Sequence, residues 1–355
     1  MDLKEKKLRL GVAYHGNRIL RHVEEDMRDI IAHNMNTVVH MFTHNDWDRH
    51  YAVMKDIVKV SESYGLEVWI DNWGLSGSPG DKSFFLELHP EAHQILSDGK
   101  PHPTQVCYNS PAFIQFTKDW LDALREMGGK KVFWDEPCMI GNGNDGKPFS
   151  CFCPTCQKLF AERYGKPMPI HPEKTTPELT EFRRWTIDNY FDVVTTYAAS
   201  LGVENSCCAM PHTLDEVSGL MALKHMDDFG TDPYWGPRGH IADNRHPYPV
   251  IFQKAEAAFK KARDEHGKKT HLWIQAYDIP AGHEDDIILA SDAAYDMGAR
   301  TILYWSYRGG ESNTYRADQC DLLWHTVGEA TARLRNRHFD MLREEAIQLL
   351  KASRK

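Results

Sequence analysis

The chain has 355 residues, a formal net charge of -9 and 41% hydrophobic residues, which is enough for one large domain or two of ordinary size. No basic stripe offers a footprint for phosphates, so nucleic acid is not an expected partner. No apolar run approaches the roughly 18 residues of a membrane span, and the charged start does not have the pattern of a signal peptide. Eight cysteines, several of them clustered, suit a metal in a reducing compartment better than a disulfide scaffold. We therefore expect a cytoplasmic protein with no membrane partner, and the composition allows a homo-oligomer.

Short apolar runs alternate with longer amphipathic stretches along the whole chain. In the first amphipathic stretch, Val23, Met27 and Ile30 recur at helical spacing. The eight predicted strands are Leu8–Tyr14, Thr37–Phe42, Leu66–Ile70, Lys131–Trp134, Asn205–Met210, His225–Gly230, His271–Tyr277 and Arg300–Ser306. Strands that are each followed by a helix predict an α/β fold, a (β/α)8 or TIM barrel.

The competing doubly wound fold would need a glycine-rich phosphate turn after the first strand. The chain has His15-Gly16-Asn17 there and no G-x-G-x-x-G. No shift in composition marks a second domain. We expect one barrel domain over residues 1–336 and an extra C-terminal helix, residues 337–355, packed on the barrel.

Polar and aromatic side chains gather where the predicted strands end, which is where TIM barrels carry their active sites. These residues are His15, His44, Asp71, Trp73, Asp135, Glu136, His212, Asp232, Trp235, Asp278, Trp305, Arg308 and Glu311. A lone aspartate in a loop is more often a turn or cap residue, but several at strand ends favour a shared role. Carboxylates and indoles suit glycosidic bond cleavage, in which one carboxylic acid protonates the leaving oxygen and a carboxylate attacks or activates water.

Asp135 and Glu136 end the fourth predicted strand and are the most informative pair. Successive strand side chains point to opposite faces, so only one of the two is expected to face the pocket easily. Glu136, at the extreme end of the strand, is the candidate general acid. Asp135 then orients Glu136 or binds a substrate hydroxyl.

Three cysteines follow this pair at C-x-C-x2-C spacing: Cys151, Cys153 and Cys156. Zinc prefers four thiolate or imidazole ligands in a tetrahedron. From the residues alone the fourth ligand stays open between Cys107, Cys138 and a histidine. A site closed by four protein ligands leaves no position for water, so the predicted metal is structural.

The motifs around these cysteines resemble glycoside hydrolase family 42, the zinc-containing β-galactosidase barrels. The family carries an N-E-[YP]-like motif on the fourth strand, matched by Asp135-Glu136-Pro137, and then C-x-C-x2-C-x3-F, which here runs from Cys151 to Phe160. Its C-x-N-S-P-A-[YF] motif is matched by Cys107–Phe113, and its D-x-Y-P element is similar to Asp232-Pro233-Tyr234. The resemblance covers roughly residues 100–165. It implies zinc held by Cys107, Cys151, Cys153 and Cys156, a zinc-pinned loop at 107–156, and Glu136 as acid/base.

Two departures from the family pattern leave the second carboxylate open. Asp135 replaces the family's asparagine, and Gln275 stands where its nucleophilic glutamate ends the seventh strand. A glutamine amide cannot form the glycosyl-enzyme ester. Either Asp278 replaces the nucleophile, or a base elsewhere supports inversion, or catalysis is lost. The candidate bases are Asp71, Asp232 and Glu311.

We therefore predict a glycosidase acting on a carbohydrate, with Glu136 and Asp278 as catalytic residues. The predicted substrate-binding residues are His15, Asp71, Trp73, Asp135, His212, Asp232, Trp235, Gln275, Trp305, Arg308 and Glu311. One alternative is a metal-dependent sugar isomerase, epimerase or lyase with Glu136, Asp71, His212 and Asp232 as ligands. The other is a carbohydrate-binding barrel without catalysis.

Overall fold

The computed structural model describes residues 7–77, 80–235 and 246–353, which form a closed barrel of eight parallel strands. The barrel strands are β1 Arg9–Tyr14, β2 Thr37–Met41, β3 Glu67–Asp71, β4 Lys131–Asp135, β5 Glu204–Ala209, β6 Asp228–Thr231, β7 Leu272–Gln275 and β8 Thr301–Trp305. Each pairs with the next along the chain, and β1 pairs with β8 to close the barrel. The predicted TIM barrel is confirmed, and every predicted strand overlaps the observed one.

Helices surround the barrel in the order that the amphipathic stretches predict. The longer ones are α1 Leu20–Ala32, α2 His44–Ser63, α3 Pro111–Glu126, α4 Pro154–Tyr164, α5 Pro177–Ser200, α6 Pro247–Phe259, α7 Asp286–Asp296 and α8 Cys320–Ala352. A capping box at Thr43 and Asp46 fixes the start of α2. Within the described residues, no helix combines the length and apolar character needed to cross a membrane.

The barrel interior is filled by alternate side chains of the strands. Its buried cluster contains Ala13, Val39, Met41, Trp69, Phe133, Cys208, Trp273 and Leu303. At the N-terminal end of the barrel, Asp228 accepts from Lys131 Nζ at 3.0 Å and contacts His271 Nδ1 at 2.6 Å. Gly230 permits the close approach of β7, because a Cβ there would lie 2.3 Å from the His271 carbonyl oxygen. This end of the barrel is packed and ion-paired, which leaves the opposite end for a ligand.

The long connection between β3 and α3 is more ordered than the sequence suggests. It contains a short helix, Phe85–Leu88, and an antiparallel hairpin formed by His93–Ile95 and Pro101–Val106. The hairpin contacts the loop after β4, where Phe152 N–H donates to Ile95 O at 2.8 Å. These backbone bonds bring residues near 107 against the later cysteines.

Residues 320–352 form one continuous helix, α8. His338 is buried near Tyr295, but Phe339 and Leu349 beyond it are 66% and 70% exposed. The predicted boundary between residues 336 and 337 falls inside this helix. The division of the chain at that point stays a prediction.

Candidate active site

Every second side chain of a barrel strand points into the barrel. The same alternation carries one further inward-pointing side chain on each of three strands to the barrel mouth, where the site lies. The side chains two residues beyond Trp69, Phe133 and Trp273 face the same way as those interior rings. Those side chains belong to Asp71, Asp135 and Gln275. A packed apolar layer is therefore capped directly by polar groups at the C-terminal end of the barrel.

Asp71 and Asp232 are carboxyl groups buried at this mouth. They are 0% and 2% exposed, and among the described residues none of their four oxygens has a hydrogen-bond partner of normal geometry. Burial raises the pKa of Asp71 well above its usual range, and the charge of Glu136 adds to the effect, while the nearby Trp73 N–H opposes it. Burial, followed by Glu136 and Asp135, likewise raises the pKa of Asp232.

Asp135 and Glu136 both lie beside Asp71 and Asp232. We call these four residues the carboxyl cluster. The expectation that only one of the pair would face the pocket easily is not met. Glu136 has left the extended conformation, with φ at +41°, while its N–H still donates to Cys208 O at 3.1 Å. The left-handed residue ends the strand alternation, so adjacent side chains can share one side. Burial raises the pKa of Asp135, and Asp71 and Glu136 raise it further.

Glu136 and Asp232 lie within hydrogen-bonding distance of each other. Two ionised carboxylates are both acceptors, so this contact becomes a hydrogen bond only when one of them carries a proton. Like charges at such short range disfavour double ionisation. The contact with Glu136 therefore adds to burial in favouring the protonated form of Asp232.

Two tyrosines that the sequence analysis did not select border the same pair. Tyr234 and Tyr277 pack edge to face, with ring centroids 5.5 Å apart. Burial raises the pKa of both hydroxyls, and the charges of Asp232 and Glu136 raise it further. Both tyrosines follow strand ends, and that position is the signal that could have revealed them.

An aromatic wall stands beside the carboxyl cluster. The His15 ring lies 4.6 Å from Trp73 and 4.7 Å from Trp305, both edge to face. Burial lowers the pKa of His15 to about 4, with a smaller contribution from Arg18, so the imidazole is neutral near pH 7. The wall therefore presents apolar ring surface without adding positive charge. Trp235, by contrast, is 1% exposed.

Two depressions adjoin the mouth. One, of about 220 Å³, lies between His15 and the turn after β8. There Arg308 donates to Glu311 at 2.7 Å and also to Asp321. The other, a groove of about 530 Å³, is lined by the exposed His212 together with Arg183 and the loop after β4.

Gln275 and Asp278 occupy the end of β7. Gln275 is 1% exposed, and its Nε2 donates to Tyr277 O at 3.2 Å. Asp278 is half-buried in a left-handed conformation, with φ at +51°, and its N–H donates to Tyr315 O at 2.8 Å. Asp278 also contributes to the raised pKa of Tyr277, which places its carboxylate near that ring. The catalytic role of Asp278 stays a prediction.

Cys107, Cys151, Cys153 and Cys156 form a buried group whose sulfur atoms all lie within 4.8 Å of one another. Cys107 Sγ is 3.5 Å from Cys156 Sγ and 3.6 Å from Cys153 Sγ. Disulfide sulfurs would be about 2.05 Å apart. Ligands of a tetrahedral ion with bonds of about 2.3 Å would be roughly 3.8 Å apart. The four cysteines fit a metal ion, and Cys138 is not part of the group.

Arg183 ties the cysteine loop to the neighbouring elements. It is 6% exposed and donates to the carbonyl groups of Ser150, Ile140 and Gly141. It also donates to Glu216 after β5 at 2.7 Å. Together with a metal ion in the cysteine group, this guanidinium would hold the segment that begins at Glu136.

The buried carboxyls should reduce the stability of the ligand-free protein. For Asp71→Asn we expect a gain of about 1–3 kcal/mol in the free energy of unfolding near pH 7, because a neutral amide removes the buried charge and can donate to its neighbours. A raised folded-state pKa gives stability that is present below the ordinary aspartate pKa and is lost as the pH rises through the folded value. The gain should therefore shrink towards pH 3, as urea unfolding across the pH range would show.

The exposed Asp56 on α2 offers a matched control for this measurement. Asp56→Asn removes the same charge without relieving burial, so its effect should stay within about 0.5 kcal/mol. An Asp71→Asn protein that is less stable than the unmodified chain at pH 7 would contradict the interpretation.

Comparison with known proteins finds solved barrels of similar structure, several of them from glycoside hydrolases. No protein family model matches the chain, and no curated protein matches it. The β-galactosidase of the psychrophilic Marinomonas ef1 superposes with a TM-score of 0.67 at 12% identity, covering 94% of this chain and 60% of that one. For the PgaB (BpsB) glycoside hydrolase domain from Bordetella bronchiseptica the TM-score is 0.59 at 13% identity, with coverages of 85% and 94%. GH5_18 from Bifidobacterium longum gives a TM-score of 0.61 at 12% identity, with coverages of 92% and 79%.

These similarities establish the shared barrel fold. The chain spans 60% of the length of the Marinomonas enzyme, so it corresponds to part of that protein. At identities of 12% and 13%, activity does not follow from the superposition alone. It has to be argued from the carboxyl cluster and its surroundings.

Proposed function

We propose that this protein is a glycoside hydrolase and that Glu136 is its general acid/base. The observation that carries the proposal is the convergence of Glu136 with the buried carboxyls of Asp71, Asp135 and Asp232 at the C-terminal mouth of a TIM barrel. A general acid must lie where the leaving oxygen of the substrate will stand, and Glu136 is a half-buried carboxyl at the C-terminal end of β4. The names of the similar structures, a β-galactosidase and a glycoside hydrolase domain, support the same reaction class.

The contact between Glu136 and Asp232 bears on the choice of second carboxylate. Catalytic carboxyls are about 5–5.5 Å apart in retaining glycosidases and about 6.5–9.5 Å apart in inverting ones. Asp232 and Glu136 interact directly through their side chains, so no space is left between them for an attacking water. We therefore assign Asp232 to sharing a proton with Glu136 and keep Asp278 as the nucleophile or base.

The remaining residues of the mouth would bind the sugar. Trp73 and Trp305 offer ring faces for stacking, and Asp71 and Asp135 can accept from hydroxyl groups. We assign further contacts to the residues at the edge of the mouth and in the adjoining depressions. These are His15, His212, Trp235, Gln275, Arg308 and Glu311.

We propose that the four cysteines hold zinc, as in the family 42 enzymes that the motifs resemble. A closed four-thiolate site supplies a cross-link and no catalytic water. Its function would be to fix the loop after β4, and with it the backbone at Glu136. The substrate chemistry then belongs to Glu136 and Asp278 and not to the metal.

A second candidate function, carbohydrate binding without catalysis, is favoured by Gln275. Its buried amide stands where the family's nucleophilic glutamate is expected and is bonded to Tyr277 O. The metal-dependent alternative has no such support, because the mouth carboxylates and His212 do not form a metal-binding group among the described residues. Among the described residues, the cysteines alone bring three or more ligand atoms within 4.8 Å of one another.

Hydrolysis of a panel of aryl glycosides and oligosaccharides, with the product anomer followed by NMR, tests the proposal. We expect Asp278→Ala to lower kcat by about 10²–10⁴-fold. If Asp278 is the nucleophile, added azide should restore turnover and yield a glycosyl azide, since azide fits the space left by the carboxylate. Asp232→Ala should not be rescued in this way. Binding of sugars without any turnover by the unmodified protein would instead support the second candidate.

A further inference from the structure

The carboxyl cluster contains more carboxyl groups than acid/base chemistry requires. Hydrolysis needs two carboxyl groups, whereas four interact at this mouth, and the buried oxygens of Asp71 and Asp232 have no hydrogen-bond partner of normal geometry among the described residues. Burying a charge without a partner is expensive unless a ligand or a proton compensates it. The arrangement therefore indicates what the site binds.

The described basic side chains near the mouth are already engaged. Arg18 forms a two-point contact with Asp46, at 2.7 Å and 3.0 Å. Arg308 is bonded to Glu311 and Asp321. Lys254, which is exposed, donates to Tyr234 O at 2.5 Å. Positive charge for the cluster is therefore expected to come with the ligand.

A single metal ion is not a good fit for this charge. Mg²⁺ or Ca²⁺ needs oxygen ligands converging at about 2.0–2.6 Å. Among the described residues, the carboxyl oxygens of the mouth do not form a group of three within 4.8 Å of one another. A spread of carboxyls suits a cation that belongs to a larger molecule.

We propose that the sugar bound at this mouth is an amino sugar carrying a protonated amine, and that the carboxyl groups of Asp71, Asp135 and Asp232 supply the negative potential that attracts its ammonium group. This inference rests on the proposed function and specifies its substrate class. An ammonium offers three N–H donors, whereas a hydroxyl offers one and no charge. The adjacent indoles of Trp73 and Trp305 add a surface that attracts cations through their ring faces.

The test is a calorimetric binding comparison on the full chain with ligands matched except at one position. Oligomers of β-1,4-linked glucosamine, N-acetylglucosamine and glucose differ only at C2, and methyl glycosides of galactosamine and galactose form a second matched set. We expect the free-amine member of at least one set to bind about tenfold more tightly than its neutral counterparts. The preference should decline with added salt, because the attraction is between charges.

Variants distinguish the contribution of the carboxyl cluster to the amine preference from that of the protein's overall charge. Asp71→Asn and Asp232→Asn should each remove most of the preference for the amine, while Asp56→Asn on the surface of α2 should keep it. Thermal unfolding of each variant verifies that it is folded, and two cluster variants guard against a failure of either one. The inference is overturned if neither matched set shows a preference for the amine. Undetectable binding of every ligand counts as the same result.

This experiment also distinguishes the inference from the proposed function. A preference for the amine in a protein that hydrolyses nothing would keep the inference and reject the hydrolase. Hydrolysis of neutral glycosides with no preference for the amine would do the reverse.

Discussion

Glu136→Gln is expected to lower kcat for glycosides with poor leaving groups by about 10²–10⁴-fold, the usual contribution of a general acid. Glutamine keeps the shape of the side chain but has no acidic proton for the departing oxygen. Glycosides with activated leaving groups need little protonation, so their cleavage should be much less affected. Steady-state rates over a series of aryl glycosides, plotted against leaving-group pKa, would show this as a steeper dependence.

The structure offers a matched control for this variant. Glu87 is exposed on the short helix Phe85–Leu88, so Glu87→Gln makes the same chemical change away from the mouth. Its turnover should equal that of the unmodified protein. Glu87→Gln should unfold at the original temperature, and Glu136→Gln at or above it, since an uncharged amide replaces one acid of a crowded carboxyl cluster. Unchanged turnover of glycosides with poor leaving groups by Glu136→Gln would refute its role as the acid.

Loss of the metal ion that we propose for the four cysteines should have the second large effect. Cys107→Ser removes one of four buried ligands and leaves three thiols with no ion to satisfy them. We expect bound zinc, measured by elemental analysis, to fall from one equivalent per chain to near zero. The free energy of unfolding should fall by about 4–5 kcal/mol, since losing a structural metal is among the most destabilising changes a protein undergoes.

The metal prediction has its own control in Cys320→Ser. Cys320 lies outside the cysteine group at the start of α8, so metal content should be unchanged and stability affected by less than about 1 kcal/mol. If Cys107→Ser retained a full equivalent of zinc, the ligand assignment would be wrong. A protein that contains no metal at all would leave the four cysteines as buried thiols.

The barrel could be predicted from local patterns in the chain. Apolar residues such as Leu10 and Val12 stand in an almost continuous buried run along β1, and the helix after it repeats apolar residues at helical spacing. Both patterns depend only on residues close in sequence. The hairpin His93–Ile95 and Pro101–Val106 was missed because its proline-containing, polar strands have no such pattern.

The residue composition of the site was also evident before the fold was known. Each polar side chain directly after an apolar run becomes a mouth residue once the strands form a barrel. Asp71, Asp135, Glu136 and Asp232 were predicted as site residues in this way. Tyr234 and Tyr277 were not predicted, because a tyrosine at a strand end is as well explained by packing as by chemistry.

The strands, the helices and the side chains that reach the mouth could thus be predicted from the residues, because they follow from local periodicity and chain direction. The relations between distant residues became visible only in the folded chain. It turned Glu136 out of the strand alternation, brought its carboxyl to Asp232, and placed Cys107 against Cys151, Cys153 and Cys156. Each of these depends on backbone torsions and on contacts between segments far apart in the chain, and no local pattern encodes them.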